Sequence, residues 1–113
     1  MILQQLVDAL SLEVITQGTD LTKTVTGGYV SDMISDVIGN AGEGYVWITF
    51  QIHLNIVAAA SLKNLAGIIL VNNRTPDKET LARASEEQVA IMSSPLPAFE
   101  IVGRLYDLGL RCR

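Results

Sequence analysis

Cysteine and histidine are almost missing from this chain. Its 113 residues include one cysteine, Cys112, and one histidine, His53. A single thiol excludes an intramolecular disulfide and a cysteine-rich metal cluster. No second histidine, cysteine pair or acidic cluster at ligand spacing accompanies His53, so the sequence predicts no metal site. We expect no cofactor either.

Long apolar runs are also absent. The longest, residues 65–71, is far shorter than the roughly 20 residues that a membrane-spanning helix needs. Residues 1–5 have no basic opening and lead into no long apolar segment, which argues against a signal peptide. These observations predict a cytoplasmic protein without a membrane partner.

Positive charge is sparse. Eight lysines and arginines stand against twelve acidic residues, giving a formal charge of −4 at pH 7. The basic residues are scattered along the chain, so no cationic stripe is available to neutralise the phosphates of a duplex. We therefore expect no nucleic-acid partner.

Apolar residues are abundant for so short a chain, at 49% of the sequence with a mean hydropathy of +0.33. The length suits one domain and is too short for two cores. Small domains have the most surface to cover with polar groups, so an apolar surplus predicts a surface for self-association. We expect a homodimer.

Strand and helix patterns alternate along the chain. The predicted strands are residues 12–16, 24–30, 45–50, 65–71 and 89–92. The predicted helices are residues 2–10, 31–40, 55–62, 75–87 and 94–109. This order predicts an α/β fold in which a layered, mostly parallel sheet is flanked by helices in one compact domain spanning residues 1–113.

Local signals add detail to these elements. Ser31, Thr75 and Ser94 are good N-cap residues for the helices that follow them. Trp47 is predicted to lie in the core or at an interface, because it stands in a strand of apolar neighbours. The inner face of the last helix is predicted to carry four apolar side chains: Phe99, Val102, Leu105 and Tyr106.

Gly27 and Gly28 are adjacent glycines inside a strand pattern. They predict a bulge or a close approach by another backbone or a ligand. A phosphate-binding loop is one interpretation, although two glycines are a weak signal without a full fingerprint. Close backbone packing across a dimer interface explains them equally well.

Polar residues follow the ends of the predicted parallel strands, where loops and helix N-termini converge and ligands bind in open α/β sheets. They are Ser31, Asp32, Thr49, Gln51, His53, Asn72, Asn73, Arg74, Ser93 and Ser94. The mixture suits a small anionic or nucleotide-like ligand. Capping and turn chemistry account for the serines and asparagines. Gln51, His53 and Arg74 are less easily explained that way.

Residues 20–36 resemble the signature of the DRTGG domain family. Asp20, Thr26, Gly27 and Gly28 stand at the naming positions, and Lys23 replaces the arginine. The likeness continues through residues 47–49, 53–55 and 93–96 and so covers nearly the whole chain. Lysine offers a point charge where arginine offers a planar fork, so a role that needs bidentate binding is not carried over.

The resemblance implies an α/β module that stands alone or is joined to other domains, including nucleotide-sensing CBS pairs, and that often lies at a dimer interface. The family is also similar to the N-terminal domain of the HPr kinase/phosphorylase, which makes a phosphotransferase one alternative. That alternative is disfavoured, because the chain contains no Gly-x-x-x-x-Gly-Lys-Ser/Thr loop to hold a triphosphate. No Gly-x-Ser-x-Gly elbow is present either.

The sequence thus favours a non-catalytic regulatory or ligand-binding module. We expect it to sense a small ligand, with a nucleotide as one candidate, or to dock on a partner enzyme. A purely structural protein-interaction domain is the remaining alternative. The candidate ligand-binding residues are Thr26, Gly27, Gly28, Ser31, Asp32, Gln51, His53, Asn72, Arg74 and Ser93.

Overall fold

A computed structural model describes residues 1–112 as alternating helices and strands. The helices are α1 (Leu3–Leu10), α2 (Ile34–Asn40), α3 (Asn55–Leu62), α4 (Lys78–Glu86) and α5 (Ala98–Asp107). The strands are β1 (Glu13–Val14), β2 (Gly27–Val30), β3 (Tyr45–Thr49), β4 (Gly67–Leu70) and β5 (Ile91–Ser93). Among the described residues, no helix is long and apolar enough to cross a membrane.

The strands form one five-stranded sheet in the order β1-β5-β4-β3-β2. Strands β2 to β5 run parallel, each beside the next in sequence, and β1 adds to β5 in the antiparallel sense with Glu13 opposite Ser93. The predicted mostly parallel α/β sheet is therefore confirmed. One edge of the sheet is β2.

Each face of the sheet carries its own core. Along β3, the side chains of Val46 and Ile48 pack with helices α1 and α5, whereas Tyr45 and Trp47 pack with α2, α3 and α4. The same alternation in β4 sends Ile68 and Leu70 to the second core and Ile69 to the first. All of β3 and β4 is buried, which explains their continuously apolar sequences.

Trp47 is the largest fully buried side chain, which confirms its predicted place in the core. Its indole Nε1 donates a hydrogen bond of 2.8 Å to the carbonyl oxygen of Ser31. Because a buried indole N–H needs an acceptor, this bond fixes the backbone that leaves β2.

The predicted starts of α2, α4 and α5 are wrong by several residues, whereas that of α3 is confirmed. Helix α2 begins after Met33, because the Ser31 hydroxyl accepts the Met33 amide in the preceding turn. The Ser94 hydroxyl accepts the Leu96 amide in the same way, and α5 begins only at Ala98. Serine hydroxyls often bond the amide two residues on, which uses the cap before the helix begins. In α4, the cap is Asp77 and not Thr75.

The predicted inner face of α5 is correct for Leu105, which is buried, and wrong for the two aromatic residues. Phe99 is 88% exposed and Tyr106 is 57% exposed. Ile101 and Leu105, four residues apart, form the buried stripe of this helix. At 3.6 residues per turn, Phe99 and Tyr106 point well away from that stripe. Helix α5 thus presents two aromatic side chains to solvent.

Candidate functional site

An open cleft lies at the carboxyl edge of the sheet, where the chain leaves β3 and β4. Its volume is about 640 Å³. It is lined by Phe50, Gln51, Ile52, His53 and Leu54 from the segment after β3, and by Arg74, Asp77, Glu79 and Thr80 from the segment that leads into α4. Three of the predicted site residues, Gln51, His53 and Arg74, therefore meet in one cleft.

Arg74 and Phe50 join the two sides of this cleft. The guanidinium carbon of Arg74 lies 4.1 Å from the centroid of the Phe50 ring, a cation–π contact. Within residues 1–112, no carboxylate oxygen lies within 4.0 Å of a guanidinium nitrogen of Arg74, whereas Arg83 forms an ion pair with Glu86. Phe50 is 44% exposed to solvent. The cleft therefore offers an aromatic surface and a cation that is not neutralised by a carboxylate.

His53 and Asp77 stand at the starts of two helices. The Nδ1 atom of His53 accepts the Asn55 amide at 3.3 Å, which places the proton of the neutral ring on Nε2. The Asp77 carboxylate accepts the Thr80 amide at 2.9 Å. This amide bond is the main cause that lowers the pKa of Asp77, followed by a hydrogen bond with the Thr80 hydroxyl. Both side chains stabilise helix starts while lining the cleft.

Asp32 positions Phe50. Its carboxylate accepts two hydrogen bonds of 2.9 Å, one from the Thr49 hydroxyl and one from the Phe50 amide. Its carbonyl oxygen accepts the side-chain amide of Gln51 at 3.2 Å. The predicted residue Asp32 is absent from the cleft lining, and it ties the end of β2 to the segment that carries the aromatic ring.

Ser93 and Asn72 shape the backbone on the other side of the cleft. The Ser93 hydroxyl donates to the carbonyl oxygen of Arg74 at 3.2 Å. Asn72 and Asn73 have φ values of 54° and 59°, a left-handed turn, and their amides donate to the carbonyls of Leu96 and Ser94. Asparagine tolerates this conformation well. These contacts hold the main chain from which Arg74 extends.

Thr26 and Gly27 lie at the amino ends of the parallel strands, because the length of β2 separates them from Ser31 and Asp32 at its carboxyl end. The Thr26 hydroxyl donates to the carbonyl oxygen of Glu43 at 2.6 Å. A Cβ on Gly27 would lie 2.5 Å from the carbonyl oxygen of Arg111, so the predicted close backbone approach is confirmed there. Gly28 has more room, with its nearest neighbour at 3.7 Å. The ten candidate residues do not form a single site.

The remaining signature residues also support the backbone. The Lys23 ammonium donates to the carbonyl oxygen of Gln88 at 3.1 Å. The Asp20 carboxylate accepts the hydroxyl and the amide of Thr22, and these bonds lower the pKa of Asp20. A bond to one carbonyl needs only a point charge, which lysine supplies. The segment from Asp20 to Lys23 therefore stabilises the amino edge of the sheet, far from the cleft.

Phe50, Asp77 and Glu79 were not among the candidate binding residues. Phe50 appeared in the sequence as the last residue of a strand, and the two acidic residues appeared as part of a helix start. Their meeting depends on the pairing of β3 with β4 and leaves no local pattern in the sequence. Within residues 1–112, no group of three His, Cys, Asp or Glu side chains is arranged to hold a metal ion.

Comparison with known proteins identifies a solved structure with a similar fold. No family model matches this sequence, and no curated protein matches it. A solved structure that contains the CBS and DRTGG domains of the regulatory region of a Clostridium perfringens pyrophosphatase, in complex with its activator diadenosine tetraphosphate, is similar in fold. The TM-score is 0.67 at 18% sequence identity, and the likeness covers 91% of this chain and 45% of the other. The predicted DRTGG-like fold is confirmed.

Proposed function

We propose that this chain is a non-catalytic regulatory domain that binds a small, anionic, nucleotide-like ligand in the cleft at the carboxyl edge of its sheet. The observation that carries this proposal is the pair formed by Arg74 and Phe50, a cation without a carboxylate partner held against a partly exposed ring. The carboxyl edge is also where open α/β sheets bind ligands.

The chemistry of the lining favours a nucleotide over a simple anion. The planar guanidinium of Arg74 is suited to a phosphate group, to which it can donate two parallel hydrogen bonds. The Phe50 ring offers a surface for a base. Asp77 and Glu79 would repel a bare phosphate but accept hydrogen bonds from ribose hydroxyls, as acidic residues do in dinucleotide sites. One ligand with a phosphate, a ribose and a base uses all of these groups.

The side chains that line the cleft argue against a catalytic role. Asp77 and His53 already bond backbone amides at helix starts, and these bonds compete with a general-base role. The chain has no glycine-rich triphosphate loop, so the phosphotransferase alternative gains no support. The similar pyrophosphatase region binds an activator that is itself a nucleotide, diadenosine tetraphosphate, which supports the same ligand class.

Regulation by such a ligand requires a change that reaches another surface. A ligand bridging Arg74 and Phe50 would tie the segment after β3 to the segment after β4. The bond from the Phe50 amide to Asp32 extends that link to the end of β2. We propose that the domain works as a homodimer, or on a partner enzyme, through surfaces that this link connects.

A thermal-shift series tests the proposal directly. ATP, ADP, AMP, diadenosine tetraphosphate and inorganic phosphate are added to the purified chain. A ligand at 100 times its Kd stabilises the folded state by about 2.7 kcal/mol. At about 2.1 cal/mol/K of unfolding entropy per residue, 113 residues give a rise in Tm of about 11 °C.

Two variants locate the binding. Arg74→Gln removes the unneutralised cation and should reduce the rise in Tm by about half or more at the same ligand concentration, as should Phe50→Leu. Arg83→Gln is the matched control, because it removes the same charge from an arginine on α4 that pairs with Glu86. The proposal is wrong if no compound raises Tm, or if Arg74→Gln and Arg83→Gln respond alike. An unresponsive protein would favour the purely structural alternative.

A further inference from the structure

The end of α5 turns the chain back toward the sheet. Gly109 has a φ of 99°, and its amide donates to the carbonyl oxygen of Tyr106 at 3.0 Å. The Leu110 amide donates to the carbonyl oxygen of Leu105 at 3.2 Å. Together these bonds form a Schellman motif, in which glycine takes the left-handed position. Leu110 then packs against the core on this face of the sheet, and Arg111 approaches β2.

A second cleft, of about 310 Å³, lies between β2, α5 and this returning segment. Ile48 and Leu105 are buried members of its lining, whereas Val30 and Tyr106 are 50% and 57% exposed. The cleft therefore reaches down to the core and opens to solvent at its rim. Its volume is at the lower end of the range of about 300–1,000 Å³ for small-molecule sites. These apolar side chains favour a ligand with a carbon-rich body.

Arg111 belongs to the same lining, and its guanidinium is held in one orientation. The Nη1 atom donates to the carbonyl oxygens of Tyr106 and Leu110, both at 2.8 Å. The guanidinium carbon lies 3.5 Å from the centroid of the Tyr106 ring. Because these two bonds use both hydrogens of Nη1, the Nε and Nη2 donors remain, and within residues 1–112 neither has an acceptor. Side by side, they form a fork that matches a carboxylate.

The charge of Arg111 is not neutralised by the protein. In the part of the chain from residue 1 to residue 112, no carboxylate oxygen lies within 4.0 Å of its guanidinium nitrogens, and no Asp or Glu belongs to the cleft lining. Arg111 is also the one lysine or arginine of that lining. One fork suits the two oxygens of a carboxylate, whereas a phosphate has a third oxygen and a second charge to satisfy.

We propose that this second cleft binds a small carboxylic acid with an apolar body. The carboxylate accepts two hydrogen bonds from the Nε and Nη2 atoms of Arg111, and the body lies against Val30, Ile48 and Leu105. The second cleft shares no lining residue with the cleft that contains Arg74. It is therefore a separate site, and it does not depend on nucleotide binding at the carboxyl edge of the sheet.

Titration of the ¹⁵N-labelled protein with octanoate, octanamide and acetate tests the site. Octanoate should produce saturable amide shifts at residues 28–30, 102–106 and 110–112 and leave residues 72–80 unchanged. Octanamide has a chain of the same length without the charge, so it should bind about tenfold more weakly, the effect of losing one charge-assisted hydrogen bond. Acetate has the charge without the chain and should not saturate the site at the same concentrations.

Two variants assign the preference for the carboxylate. Arg111→Gln should make octanoate and octanamide bind equally. Arg104→Gln is the matched control, because it removes the same charge from α5 at a position outside the cleft lining, and it should keep the tenfold preference.

Three results would overturn the proposal. The first is equal binding of octanoate and octanamide to the wild type. The second is loss of the preference in Arg104→Gln as well as in Arg111→Gln. The third is the absence of saturable shifts at the residues of the second cleft, which includes the case in which a second copy of the chain already covers it.

Discussion

Replacing Gly27 by alanine probes the closest contact that an added Cβ would make at any glycine of the chain. The new Cβ would lie 2.5 Å from the Arg111 carbonyl oxygen and 2.7 Å from the Tyr45 ring. Both distances are far below van der Waals contact, and the Tyr45 side chain is 4% exposed, so the ring has little room to move. Overpacking of this kind costs about 1–3 kcal/mol of unfolding free energy.

Gly39→Ala is the matched control. Gly39 lies in α2, and a Cβ there meets no atom within 4 Å. Alanine in a helix is favoured over glycine by about 0.5–1 kcal/mol, so this variant should gain stability. The same chemical change is therefore expected to have opposite signs at two positions, with a difference of about 1.5–4 kcal/mol.

Urea unfolding followed by circular dichroism measures that difference. Thermal unfolding makes the same comparison. At about 2.1 cal/mol/K of unfolding entropy per residue, each kcal/mol of unfolding free energy corresponds to a change in Tm of about 4 °C for this chain. Equal stability of Gly27→Ala and Gly39→Ala would show that the approach of Arg111 and Tyr45 to Gly27 is not as close as described.

Two further substitutions test the core and the pH dependence. Trp47→Phe removes the donor to the Ser31 carbonyl and should lower the urea unfolding free energy by about 1–3 kcal/mol, and a wild-type value would contradict the importance of that bond. Folding lowers the pKa of Asp77, so its ionised form contributes stability at every pH above the pKa of the unfolded chain. This contribution is lost below about pH 4, as the pH falls through the lower pKa of the folded protein. Asp77→Asn keeps a capping side chain but should lose part of the acid-dependent decrease in urea midpoint; a curve as steep as that of the wild type would contradict this assignment.

The strands and helices were predictable where the sequence pattern is local and strong. Helix α3 was predicted with the boundaries that the structure gives, and the buried run of residues 65–71 contains the central strand β4. Their apolar content and spacing require burial whatever the neighbouring elements do. The edge strand β1, with two residues, is shorter than the predicted segment because it pairs only briefly with β5.

The helix starts and the outward aromatic residues were not predictable in the same way. The Ser31 hydroxyl accepts the Met33 amide in a turn, while its carbonyl accepts a hydrogen bond from Trp47, 16 residues away, a contact that no local pattern encodes. Phe99 is exposed because Ile101 and Leu105 set the buried stripe of α5. An exposed apolar side chain looks like a core residue in sequence alone.

The candidate site was predicted in part. Gln51, His53 and Arg74 share a cleft because parallel strands place their carboxyl ends together. Thr26 and Gly27 precede or begin β2, so a strand of four residues, about 13 Å long, separates them from that edge. The contact of Phe50 with Arg74 arises only when β3 and β4 lie side by side, which no short motif encodes.

The most direct measurement of the central claim is a titration of the ¹⁵N-labelled protein with ATP and with diadenosine tetraphosphate, followed by amide chemical shifts. We expect saturable shifts in residues 50–54 and 71–80, unchanged amides at residues 20–28, and binding at least about tenfold weaker in Arg74→Gln, the effect of losing one charge-assisted hydrogen bond. Absence of saturable shifts, or shifts confined to residues 20–28, would contradict a ligand site at the carboxyl edge of the sheet.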